Sequence, residues 1–173
     1  WTPVTVSTTG SISGYGLGVL DDAASLYWRL GEGSGTVAND WAGANTGTIS
    51  GTVTRGAAGA IIGDADTATT FAGDANPSNV RTSTLTTGLQ QFALEAWIKT
   101  TTTKGGKIIG FGNALTGNSS NYDRHIYMQN NGKLTFGVYP GAGKTVTSAK
   151  SYNDGKYHHI VANLGSGGMK LYV

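Results

Sequence analysis

Phe92-Ala-Leu-Glu-Ala-Trp-Ile-Lys-Thr100 is the stretch on which the fold turns. Side chains on a strand alternate between faces, so Phe92, Leu94, Ala96 and Ile98 share one side. Ala93, Glu95, Trp97 and Lys99 share the other. The first set is wholly apolar. The second places a Trp between two charges, which suits a covered layer whose ends stay close to polar partners. The stretch is therefore predicted to be the central strand of a sandwich, buried on both sides, with the remaining strands laid beside or across it.

Composition agrees with an all-β chain. The 173 residues fit one domain large enough to build a core without covalent staples. With 28 glycines and only 13% charged residues, the sequence favours short strands and tight turns over helices. Cysteine is absent, which excludes disulfides and thiolate metal sites. A formal charge of +2 without a Lys/Arg cluster argues against a nucleic-acid partner. No apolar run approaches the roughly 20 residues of a membrane-spanning helix, so membrane insertion is not expected.

Upstream of the central stretch, residues 1–20 read as a lead-in: an extended β-branched strand and a glycine-bearing linker from a preceding domain. Its glycines do not complete a dinucleotide fingerprint. Ser25–Leu30 reads as a first strand, Gly31–Asp40 as a polar loop, and Thr52–Arg55 and Thr67–Phe71 as further strands. Downstream, Lys104-Gly105-Gly106 reads as a hairpin turn into Lys107–Phe111. Asn131-Gly132 divides two alternating runs, predicting a two-residue type I′ hairpin. In it Ile126 and Met128 share a layer with Leu134, Phe136 and Val138, while His125, Tyr127 and Tyr139 face the other way. The chain ends at Val173 within an apolar run, so a continuation beyond it is expected.

These pieces resemble the laminin-G-like, concanavalin A-like jelly rolls of bacterial and phage proteins. The resemblance rests on Leu26-Tyr-Trp-Arg-Leu-Gly-Glu32, Asn45-Thr-Gly-Thr48, Phe92–Lys99, Tyr122-Asp-Arg-His-Ile-Tyr-Met128, Tyr152–Ile160 and Gly168–Val173. It covers residues 21–173 as one domain, incomplete at its C-terminus. It implies a two-sheet antiparallel sandwich whose loops bind calcium and glycans or protein surfaces. The expected role is a non-catalytic recognition or adhesion module in a larger extracellular or virion-surface protein. The alternatives are a structural spacer or decoration domain of a phage particle and, more weakly, a glycoside hydrolase of the same sandwich class.

Candidate residues follow from the chemistry each role needs. A hydrolase needs two carboxylates about 5 to 9 Å apart. Glu95 stands alone on its strand, so no catalytic residue is expected. His158 and His159 are adjacent and so point to opposite faces, a packing feature and not a chelating pair. A glycan needs an aromatic platform ringed by hydrogen-bonding groups. Trp41 with Asn45 is one candidate, and Tyr122, Asp123, Arg124 and His125 form another. The alternative is that Trp41 closes the core and Asp123-Arg124 is a structural pair. Calcium takes six to eight oxygens, which loops carrying Asp64 and Asp66, or Asp74, begin to supply; the same residues also favour turns.

Overall fold

Thr- and Gly-rich runs too short for helices pair here as antiparallel ribbons. A computed structural model describes residues 13–73, 77–86, 89–116 and 119–173. Every strand pairing among the described residues is antiparallel. The chain divides into two units, Trp1–Thr84 and Leu85–Val173.

In the first unit, helix α1 (Gly14–Asp21) occupies part of the expected lead-in; residues 1–12 lie outside the described residues. Three glycines make it a poor intrinsic helix. Its start is fixed by Ser13, whose hydroxyl accepts from the Gly16 N–H at 3.2 Å. Strands β1 (Val37–Ala38), β2 (Gly47–Ser50), β3 (Val53–Ala58), β4 (Thr67–Phe71) and β5 (Asn79–Thr82) follow. They form the sheet β1-β2-β5 and the ribbon β3-β4. The strand expected at Ser25–Leu30 is not formed; only an isolated bridge joins Trp28 to Asp40. Leu30 has φ +61°, which breaks the extended alternation, and side chains meet backbone groups instead: Asp40 accepts from Tyr27 N and the Thr69 hydroxyl donates to the Leu30 carbonyl.

The second unit is a two-sheet sandwich. Strand β6 (Phe92–Lys99) leads into the meander β7 (Gly106–Gly112), β8 (Tyr122–Met128), β9 (Lys133–Val138) and β10 (Lys144–Ser151). The chain then returns to the first sheet through β11 (Tyr157–Gly165) and β12 (Gly168–Tyr172). The sheet order β12-β11-β6 makes β11 the middle strand, so β6 is not central. Nor is β6 buried on both sides: Ala93, Glu95, Trp97 and Lys99 are all exposed. Two charges on that face cost more to desolvate than the Trp gains by burial. The turn at Gly105-Gly106 is likewise no hairpin, because β6 and β7 lie in different sheets.

The core is the predicted layer. Ile126, Met128, Leu134, Phe136 and Val138 pack against Leu94, Ile160 and Ala162 of the opposing sheet. The Phe92 ring stands edge-on to Phe136 at 6.0 Å and to Phe111 at 6.1 Å. The hairpin differs from expectation in its turn. Gly132 N–H donates to the Gln129 carbonyl at 2.9 Å, so the turn spans Asn130 and Asn131. Gly132 alone takes the left-handed conformation, at φ +80°, giving a three-residue loop with a glycine bulge. Asn131 Oδ1 accepts from Lys133 N at 3.0 Å, which favours this arrangement over a type I′ turn.

Candidate functional site

Arg29, next to last in the segment that failed to become a strand, organises the first unit's candidates. Its guanidinium bonds Asp64 through Nη2 at 2.9 Å and Asp66 through Nε at 2.7 Å, and it is 8% exposed. It also lies 5.1 Å above the Trp41 ring. The two carboxylates expected to serve calcium thus face a cation already built into the chain. Their oxygens do not fit an open calcium site. Asp74, the third candidate, lies outside the described residues. No cluster of three or more His, Cys, Asp and Glu side chains suited to a metal occurs among the described residues.

The electrostatics fit that structural role. The Ser13 hydroxyl, the Asp66 N–H and Arg29 hold the Asp64 carboxyl below its ordinary value despite burial. For Asp66 burial wins, with help from Asp64 and Glu32, and its carboxyl is pushed up against the pull of Arg29.

Trp41 and Asn45 belong to a neighbouring scaffold. Asp40 accepts from the N–H groups of Tyr27 at 2.9 Å, Ala42 at 3.0 Å and Asn45 at 2.9 Å. Burial raises the Asp40 carboxyl, and these backbone donors more than offset it, leaving it lowered. The Asn45 carbonyl in turn accepts from Trp28 Nε1 at 3.0 Å. Trp41 N–H donates to the Tyr27 carbonyl at 2.9 Å and its ring lies under Arg29, so both candidates are tied into this scaffold.

The second candidate set is partly brought together. The ladder between β7 and β8 shifts register at Gly110 and Phe111, which face His125 and Asp123, so Arg124 is an extra residue on β8. It takes φ +46°, rare for a residue with a side chain. Asp123 holds it there, accepting from Arg124 N at 2.7 Å and pairing with the guanidinium, while Arg124 Nε reaches the Leu89 carbonyl at 2.6 Å. Asp123 also accepts from Tyr139 N at 2.6 Å. Both side chains are thus engaged by groups within the chain itself. The Tyr122 side chain lies outside the described residues.

Beyond the bulge, His125 opens onto a depression of about 210 Å³. Asp123, Tyr127, Gly137, Tyr139, Lys144 and Thr145 are among its lining residues. Ring centroids of His125 and Tyr127 lie 5.2 Å apart. Burial, and then the charge of Lys107, push the His125 imidazole below its ordinary value against the pull of Asp123. The ring is therefore neutral at pH 7, able to donate from one nitrogen and accept at the other. Sequence reasoning had placed Tyr127 and Tyr139 on this face without making them site residues. It missed Gly137, Lys144 and Thr145, since only the pairing of β9 with β10 brings those strands side by side.

Glu95 Oε1 lies 2.8 Å from His159 Nε2. The two neighbouring histidines do point apart, His158 toward Tyr152 and Asp154, His159 toward Trp97 and Glu95.

A family model described as the concanavalin A-like lectin/glucanases superfamily matches residues 73–173. No curated protein and no solved structure gives a match.

Proposed function

Because the chain belongs to the concanavalin A-like lectin/glucanases superfamily, we propose that it is a recognition module that performs no chemistry and binds carbohydrate through the depression on β8, β9 and β10. The observation that carries this reading is the company His125 keeps. A neutral imidazole, two tyrosines, a threonine hydroxyl and a lysine border one shallow hollow. Such a set offers ring faces for the C–H side of a sugar and donors and acceptors for its hydroxyls. The pairing of Glu95 with His159 favours recognition over hydrolysis, which needs two convergent carboxylates. The module is expected to act at a cell or virion surface as part of a larger protein.

Retention on a panel of immobilised polysaccharides tests this. At least one should retain the chain, and Tyr139→Ala should weaken retention without unfolding, because Tyr139 is 63% exposed. Equal retention of wild type and variant would place binding elsewhere.

Exposed Trp97 and Tyr172, on one face of the sheet β12-β11-β6, favour a second reading, a spacer or decoration domain that packs against a neighbouring protein. A silent polysaccharide panel together with protection of Trp97 from oxidation in the assembled parent protein would support it.

A further inference from the structure

Gly137 is a glycine that its strand does not need. Its φ lies outside the left-handed region, so other residues fit its backbone. A Cβ placed there would meet His125 Nε2 at 3.6 Å, His125 Cε1 at 3.8 Å and Thr145 Cγ2 at 3.8 Å, all ordinary contacts. Gly110 and Gly132 differ: a Cβ at either collides with a neighbour, His125 or Asn153. Glycine inside a strand sacrifices packing and chain entropy. Between buried Phe136 and Val138, a β-branched residue would serve the fold better.

Gly137 is buried between the His125 ring and the Thr145 methyl, and it lines the depression from below. At about 210 Å³ it falls below the roughly 300–1,000 Å³ of clefts that engulf drug-sized ligands. A hollow of that size suits a small ligand such as one sugar ring.

We infer that Gly137 is the floor of a subsite for a single sugar ring, the terminal or branching residue of a glycan. The ring is bordered by His125 and Tyr127 on one side, Lys144 and Thr145 on the other and Tyr139 at the rim, with Gly137 beneath it. This rests on the carbohydrate reading above.

Gly137→Ala and Gly137→Val, compared with wild type by thermal unfolding and by titration with methyl monoglycosides and the matching polysaccharides, test it. Gly137→Ala should raise the unfolding temperature by about 2–4 °C, because the fold gains what the site gives up. Gly137→Val should keep the wild-type circular dichroism and bind about ten-fold more weakly or worse. A monoglycoside should compete with its polysaccharide.

A lower unfolding temperature for Gly137→Ala would make the glycine structural and overturn the inference. Undiminished binding by Gly137→Val would do the same. Polysaccharide binding that no monoglycoside competes for would overturn the single-ring subsite and leave carbohydrate recognition standing. Failure of wild type to bind any saccharide would remove both.

Discussion

Trp97 on β6 lies face to face with His159 on β11, the ring centroids 4.7 Å apart and the planes 18° from parallel. The two residues are direct cross-strand partners, and Glu95 Oε1 lies 2.8 Å from His159 Nε2. Coupling between Trp97→Ala and His159→Ala in a double-mutant cycle should be about 0.5–1.5 kcal/mol. Glu95→Gln alone should cost less than about 1 kcal/mol, since both partners are well exposed. Chemical denaturation checks both values. Neither wild type nor Glu95→Gln should release reducing sugar from a polysaccharide; turnover lost in Glu95→Gln would reverse the non-catalytic reading.

Phe136 is completely buried where the two sheets meet, edge-on to Phe92. Phe136→Ala should destabilise the second unit by about 3–5 kcal/mol, a large share of a typical domain's stability. A shifted urea midpoint with an unchanged slope would confirm a packing loss within the same fold.

Arg29 sits between Asp64 and Asp66 with little exposure, so Arg29→Met should leave two carboxylates near each other without the cation they share. The expected cost is about 3 kcal/mol, and Arg29→Met with Asp64→Leu should recover part of it. Additive losses would show that the pair is not coupled.

Acid should loosen the loop centred on Asp40. Its carboxyl is lowered in the folded chain, so its contribution is complete above the ordinary value near pH 4 and fades as pH falls through the folded value. Hydrogen exchange at the Tyr27, Ala42 and Asn45 amides, corrected for intrinsic rates, should stay protected to about pH 4 and lose protection below it. Asp66 works in the opposite sense: its carboxyl is raised, so its cost at neutral pH is relieved on acidification.

His125 should titrate below the ordinary imidazole value. The unfolded chain then takes up a proton that the folded site resists, so stability should decline as pH drops below about 6.5. The imidazole carbon-bound proton signals in an NMR pH series report the midpoint directly. A midpoint at or above the ordinary value would contradict the buried, Lys107-facing environment.

What could be read from residues alone was whatever alternation encodes. Ile126, Met128, Leu134, Phe136 and Val138 were assignable to one buried layer because period two forces them there. The place of β6 in its sheet was not, since an apolar strand looks alike in the middle or at the side. Leu30 carries no mark of its left-handed backbone. Arg29 lies 35 residues from Asp64, a distance at which no local pattern speaks. The same limit hid the calcium candidates' true partner. The depression fell between: the hairpin pattern put His125, Tyr127 and Tyr139 on one face, but the hollow also needs Thr145 across from Gly137.

The most direct test of recognition through this hollow is an amide chemical-shift titration of the ¹⁵N-labelled chain with any saccharide that retains it. Saturable shifts should centre on His125, Gly137 and Thr145, which stand side by side on β8, β9 and β10. Saturable shifts confined to other surfaces, such as the Trp97 face or the Trp41 loop, would contradict the account.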